Sequence, residues 1–402
     1  MRGPHDLSVS HDARATALRS IARLLLLAIM LDPAATGAQQ APVKQTRQVF
    51  RLGGPDAAEP YAFSAPPQLI VDSVGYIFAR VPSDAAVTVF NPSGGFVRTI
   101  GRKGQGPGEF QVAAAHGLLG DTLWISNWPT PQISRFLRNG THVATTRTPF
   151  EYGRSFGGPV GLTALLAGGR ALVLPPSPVL GVQERILLPV VVGPADMMRR
   201  DTIAMMPTPR GLYIHSVGTW AFDPVPAGPL VARATNGLGV AVAAWSDTTP
   251  GIVDLRVLSA DGTQIWRRSL RLTAPAIPRA VRDSLIAVGV TKASPQIAVA
   301  RRRGGAPGGS VESLVERGLT LPRHFAPIRR LVLGIDGTLW LEQMDGLRGG
   351  SWLVLDRSGA PRFQVRLPAT FTVDDATIDS VWGTDQDELG VAYMVRLRVV
   401  DG

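Results

Sequence analysis

The sequence has no cysteine among its 402 residues. That excludes disulfides, thiolate metal centres and a cysteine nucleophile. It does not exclude an oxidising compartment, because a large core can hold a fold without covalent staples. Lysine is nearly absent: 3 lysines stand beside 38 arginines, within a formal net charge of +10. The arginines are spread along the chain, and the one local cluster is Arg301-Arg302-Arg303. This balance reads as a solvated basic surface and argues against nucleic-acid binding. Aromatics are only 6% of the chain, although eight of them are tryptophan. Past the N-terminal region no apolar run is long enough to span a bilayer. There is no G-x-S-x-G elbow for a serine hydrolase.

What is abundant is turn chemistry. There are 44 glycines and 33 prolines without a collagen period, and 45% of residues are hydrophobic. Short apolar strands between regular turns account for this balance better than disorder or long helices. Residues 1–38 have the pattern of an export signal: Arg14, Arg19 and Arg23, then the apolar Leu24 to Leu31, then Thr36-Gly37-Ala38 before Gln39. A cleaved signal followed by a periplasmic or extracellular domain, residues 39–402, is expected. No cysteine follows the apolar run, so a lipid anchor is not expected there.

The segment GRKGQGPGEF, Gly101 to Phe110, divides two strand-rich units. It lacks the Lys-Ser/Thr and following helix of a phosphate cradle. It reads as a rigid connection in which Phe110 wedges between units. Units of strand, turn, strand, hairpin, strand recur along the chain. Their second strands start near Ile77, Leu123, Leu172, Val240, Leu339 and Val381, and hairpins turn at Asn139-Gly140, Asp261-Gly262 and Ser358-Gly359. A period of roughly 40–50 residues with four strands each is the signature of a β-propeller. The expectation is therefore an all-β, six-bladed propeller, with the lone strand Gln48–Leu52 completing the last blade. A helical insert, about residues 275–327, is expected between blades four and five. In it Val281, Leu285 and Val288 share a face, and SVESLVER follows Ser310 as N-cap. A lid over the channel and an ornament on a blade edge are both open readings of this insert.

The run GRKGQGPGEF, His116-Gly117-Leu118, Gly120-Asp121-Thr122-Leu123-Trp124-Ile125-Ser126-Asn127, Ile133-Ser134-Arg135-Phe136 and Asn139-Gly140 resembles the NHL repeat. Ser126-Asn127 stands where that repeat usually has Ala-Asp, and later units match only loosely. The resemblance implies a secreted bacterial six-bladed propeller and little about activity. Lyases that resemble this pattern hold zinc with histidines entering several blades, which makes His116, His215 and His324 the zinc candidates if they converge. Six-bladed lactonases hold a central divalent metal with Glu, Asn and Asp. Their opening segment is absent here, but Asp72, Asn127 and Asp336 lie near strand ends and could supply oxygens. Turn formation is the plainer role for those aspartates. Asp374-Asp375, Asp379 and Asp385-Asp387-Glu388 read as a solvated acidic rim, with calcium as the alternative.

Trp124, Trp340 and Trp382 fall at matching places in their units and are expected to pack between blades. Trp128 and Trp220 are the candidates for exposed contact. The reading favoured by the sequence is a monomeric binding or scaffold module without a cofactor, holding a peptide, protein or glycan through His116, Asn127, Trp128, Arg135, Trp220 and His324. The alternative is a metal-dependent lyase or lactonase with zinc or calcium in the central channel.

Overall fold

The structure is a computed structural model that describes residues 41–130, 132–147, 162–174, 187–194, 201–207, 211–214, 218–221, 228–302, 308–318, 321–345 and 348–401. After β1 (Val43–Gly53), strands β2 (Gln68–Val71), β3 (Ile77–Arg80), β4 (Val87–Phe90) and β5 (Phe96–Ile100) form an antiparallel sheet in chain order. The Gly-rich connection holds a two-stranded parallel pair, β6 (Arg102–Lys103) and β7 (Glu109–Phe110). A second sheet is β8 (Val112–Leu119), β9 (Thr122–Trp128), β10 (Gln132–Leu137) and β11 (His142–Arg147). A third is β12 (Leu162–Leu166), β13 (Arg170–Val173), β14 (Leu187–Pro194) and β15 (Asp201–Pro207). A hairpin, β16 (Gly211–Ile214) and β17 (Gly218–Ala221), precedes the fourth sheet of β18 (Leu230–Arg233), β19 (Gly239–Trp245), β20 (Ile252–Ser259) and β21 (Gln264–Arg271).

The last two repeat units do not form separate blades. Strands β22 (Ile328–Leu333), β23 (Leu339–Asp345), β24 (Arg348–Leu355), β25 (Pro361–Arg366), β26 (Thr372–Ala376), β27 (Ser380–Gln386) and β28 (Ala392–Val400) share one sheet with β1. The order of this eight-stranded sheet is β22-β23-β24-β25-β1-β28-β27-β26. β1 pairs antiparallel with β28 and, through Val43 and Lys44, parallel with β25. The two edge strands, β22 and β26, also touch, so this sheet nearly closes on itself. The expected six separate blades are thus corrected to four propeller-like four-stranded sheets and one eight-stranded sheet. The physical reason is the long β1: one strand satisfies the open edges of two units at once.

The first strand of each unit is the innermost. Contacts run from β8 to β12, β18 to β22, β22 to β26 and β26 to β2, so these strands line a central channel. Between the sheets lie apolar layers. Phe78, Val89, Leu118, Ile125 and Phe136 pack with Phe110, which is fully buried between the first two sheets. Burying a side chain of that size contributes about 2–3 kcal/mol. The rest of its connection is tied by the Glu109 carboxylate, which accepts from Arg102 Nε at 2.8 Å and Gly106 N at 2.9 Å. Trp124, Trp340 and Trp382 are buried.

Two helices, Arg279–Arg302 and Val311–Gly318, stand between β21 and β22. The first is longer than the single face in the sequence suggests and continues through Pro295. Ser310 Oγ accepts the Ser313 N–H at 3.1 Å and caps the second. Ala293 and Ile297 pack on Leu314 and Val315, joining the two helices. Ile277, Leu285, Phe325 and Ala326 pack on Met344 and Trp245. No helix among the described residues is long and apolar enough to cross a membrane.

Candidate functional site

First and second strands of each unit run antiparallel, so the turns joining them all lie at one end of the channel. The turn between β18 and β19, Ala234 to Gly239, reaches across that end. The Leu118 N–H donates to Thr235 O at 3.0 Å, and the Ala167 N–H donates to Gly237 O at 3.0 Å. Asn236 Nδ2 donates to Ile335 O at 3.1 Å, and Thr235 Oγ1 donates to Asp375 Oδ2 at 2.6 Å. One turn from the fourth sheet is thereby bonded to the second, third and eight-stranded sheets. The same Asp375 Oδ2 accepts the Val71 N–H of the first sheet at 3.0 Å. The turn acts as a plug. Gly237 makes it possible: it has a φ of 72°, and a Cβ there would lie 2.6 Å from Leu119 Cδ2.

The opposite end receives the first residues of the inner strands and the last of the second strands. Trp245 and Met344 end second strands, so the helical insert that packs on them sits at this face. Asp247, just beyond Trp245, fixes the return of the insert. It accepts from Arg323 N at 2.9 Å and His324 N at 3.1 Å, and its Oδ1 lies 2.9 Å from His324 Nδ1.

Between plug and open face the channel is polar. Asp374 is the extra residue of a β-bulge, since Val373 pairs with Gly383 and Asp375 with Trp382. A bulge re-aims a side chain, and neighbouring aspartates that would alternate in a plain strand both turn inward, Asp375 fully and Asp374 half-buried. Asp375 is fully buried, and Asp374 Oδ2 is buried without a hydrogen-bond partner among the described residues. Burial raises the Asp375 carboxyl to about 7, against the Thr235 hydroxyl and the Val71 N–H that hold it down. Burial, then the Asp375 charge, pushes Asp374 well above the carboxylate range.

The cations acting on them are Arg233 on Asp375 and Arg330 on Asp374, and Arg80, at the end of β3, lies in the field of Arg233. Arg330 Nε pairs with Glu342 at 3.4 Å. Arg80 is buried, donates from Nη1 to Ala113 O at 2.7 Å, and bonds Gln68 Oε1 through Nη2, while its Nε has no partner among the described residues. Arg233 donates to His116 O at 2.9 Å and lies 5.8 Å from the Trp124 ring centre. Burial lowers Arg233 to about 10, so it stays charged at neutral pH.

The expected site residues fall in different places. His116 is buried beside the channel, with Nε2 3.1 Å from Phe78 O. Burial, then Arg80, drives it down to about 3, so it is neutral. Asn127 is buried and its Oδ1 accepts the Gln111 N–H at 3.0 Å. Trp128, ending β9, is 47% exposed at the open face, and Arg135 is half-buried in β10. His324 belongs to the insert. His215 and the Trp220 side chain lie outside the described residues. Asp72 and Asp336 each close a turn, Asp72 through Val74 N and Tyr76 N at 2.9 Å, and Asp336 through Thr338 N at 3.0 Å.

Among the described residues no three His, Asp or Glu side chains converge as metal ligands, so they do not fit the zinc or calcium centre that the resemblance implied. The acidic rim is corrected only at Asp374-Asp375, which turn inward; Asp379 and Glu388 are exposed, Asp385 pairs with Arg51 at 3.2 Å, and Asp387 accepts from Tyr393 Oη at 3.1 Å. Arg80, Arg233 and Thr235 were not picked out from the sequence, and Asp375 was expected at the surface. Their only signal was charge inside apolar strands, such as Arg233 in LVAR and Arg80 in IFAR.

No family model matches the chain, and no curated protein matches it. Among solved structures, a putative exported protein from Bacteroides fragilis is 11% identical, covering 89% of this chain and 95% of that one, with a TM-score of 0.44. A member of the duf4221 family from Bacteroides vulgatus is 8% identical, covering 89% and 99%, with a TM-score of 0.45. The calcium-binding protein regucalcin from Agrobacterium tumefaciens is 9% identical, covering 90% and 97%, with a TM-score of 0.37. Likenesses this low carry no argument about activity. The NHL-repeat expectation is corrected: no family model supports it, and the fused eight-stranded sheet departs from six repeated blades. The chain is similar to these β-rich proteins and takes no family name from them.

Proposed function

We propose that the chain is an exported protein that binds a small molecule in its central channel, entered from the face that carries the helical insert. The observation that carries this reading is one channel end bridged by the Ala234–Gly239 turn, with the half-buried Arg233 on an inner strand beside it. Ala114, Ala115, Leu230, Val231, Ala232 and Arg233 lie on innermost strands yet remain half-exposed. A blind, polar recess with an apolar wall is what a small-ligand site requires. A peptide, protein or glycan held at the rim, by Trp128 among others, is the broader form of this reading. Residues 1–38 are the export signal.

A second reading is favoured by Asp374. A carboxyl that burial raises, with one oxygen unpartnered among the described residues, is suited to donate a proton to a leaving oxygen. Hydrolysis of a small ester or lactone in the channel would use Asp374 in this way. A thermal-shift screen of sugars, sugar acids and lactones tests the site. Hits that vanish in Arg233→Met support the channel, and hits that persist unchanged in that variant place the ligand elsewhere.

A further inference from the structure

Charge in the channel does not balance. Neither Arg80 nor Arg233 has a carboxylate within ion-pair distance among the described residues, and each spends its hydrogen bonds on neutral groups. A buried guanidinium without a counter-charge is costly, because desolvation is not repaid by a partner. Among the described residues the acidic groups of the interior repay it only in part: Asp375 and Arg233 act on each other from beyond ion-pair distance. Glu342 is committed to Arg330, at 3.4 Å, and to the Gly350 N–H, at 3.0 Å. Asp375 is committed to Thr235, Val71 and Ala376. His116, against which both arginines press, is neutral and adds no negative charge. Arg233 is half-exposed to the channel and has a single hydrogen bond among the described residues, so donors of its planar fork remain for a ligand.

We infer that the ligand is a small organic carboxylate, seated against the free edge of Arg233 in the field of Arg80. This rests on the channel being the binding site. A carboxylate supplies the missing counter-charge and matches the guanidinium fork in two parallel hydrogen bonds. Trp124 lies against Arg233, so the ligand also changes the surroundings of a buried indole.

The test uses the purified chain at constant ionic strength and pH 6, with chloride as the reference salt. Acetate, glycolate and gluconate are titrated against glucitol, the uncharged counterpart of gluconate, and against phosphate, with melting temperature and tryptophan emission as readouts. The expected result is a saturable stabilisation by one or more carboxylates, absent with glucitol. Arg233→Met weakens it at least tenfold, and the accompanying emission change disappears in Trp124→Phe. Arg80→Met is the second variant: it weakens the same response and, because it removes an unpaired buried charge, does not lower the melting temperature in chloride. Stabilisation by glucitol equal to that by gluconate overturns the carboxylate but leaves the channel site standing. A larger response to phosphate than to any carboxylate also overturns it. No response beyond chloride to any probe overturns both.

Discussion

Thr235 Oγ1 donates a 2.6 Å hydrogen bond to Asp375 Oδ2, joining residues 140 positions apart across the middle of the ring. The bond ties a turn of the fourth sheet to an inner strand of the eight-stranded sheet, and Asp375 passes the tie on to Val71 of the first. Replacing Thr235 with Val keeps the shape and removes the hydroxyl. Buried hydrogen bonds to a charged or partly charged acceptor are worth about 2 kcal/mol. Urea unfolding of Thr235→Val should show a loss of that size, with the largest gain in amide exchange at Leu118, whose N–H donates to Thr235 O.

Gly237 tests the plug without touching charge. Its φ of 72° disfavours any side chain, and a Cβ would meet Leu119 Cδ2 at 2.6 Å and Leu165 O at 3.2 Å. Gly237→Ala should cost about 2 kcal/mol. Gly262→Ala is the control, because its φ of 89° is also positive but nothing lies within 4 Å of its Cβ. Equal losses in the two variants would mean that the turn does not pack against the channel wall.

Asp375 and His116 give opposed pH dependences. The Asp375 carboxyl rises from 3.8 to about 7 on folding. Its contribution is full below pH 4 and is lost as the pH climbs through 7, by up to about 4 kcal/mol. His116 falls from 6.5 to about 3, so its contribution is full above pH 6.5 and is lost as the pH drops through 3. Between pH 4 and 6.5 Asp375 and the likewise raised Asp374 act against His116, so the melting temperature of the wild-type chain should fall with pH. Asp375→Asn should make that fall shallower. His116→Gln should make it steeper. Parallel slopes in the two variants would remove both assignments.

Arg330 pairs with Glu342 at 3.4 Å, and Arg329 lies 4.0 Å from the same carboxylate. Glu342 is buried, and its Oε1 also accepts the Gly350 N–H at 3.0 Å. Glu342→Gln keeps that hydrogen bond but leaves Arg330 without its counter-charge, as Arg80 and Arg233 already are. A loss of about 3 kcal/mol is expected on breaking a buried pair from one side. Part of it should be recovered in the Glu342→Gln/Arg330→Met double variant, which a double-mutant cycle reads directly.

Local chemistry was legible in the sequence. Asn139-Gly140, Asp261-Gly262 and Ser358-Gly359 turn where their residue types require, with φ of 89°, 89° and 79° at the glycines. Trp124 and Trp340 are buried as their matching places suggest. What the sequence did not show is set by partners far away in the chain. β1 binds β25 and β28, more than 300 residues on, and no local signal says that one strand will serve two units. Asp374 and Asp375 looked like a solvated rim, because an acidic pair near other acids usually is one. Only the bulge, and the Thr235 hydroxyl waiting opposite, turn them inward. Arg80 and Arg233 were lost among 38 arginines for the same reason: their burial depends on how the units pack around the channel.

The most direct test is a crystal structure of the chain grown in gluconate. The expected result is carboxylate density inside the channel against Arg233, between the Ala234–Gly239 turn and the face that carries the helices. Density confined to the outer rim near Trp128, or an open passage where Thr235 and Asp375 are bonded, would contradict a plugged, one-mouthed binding channel.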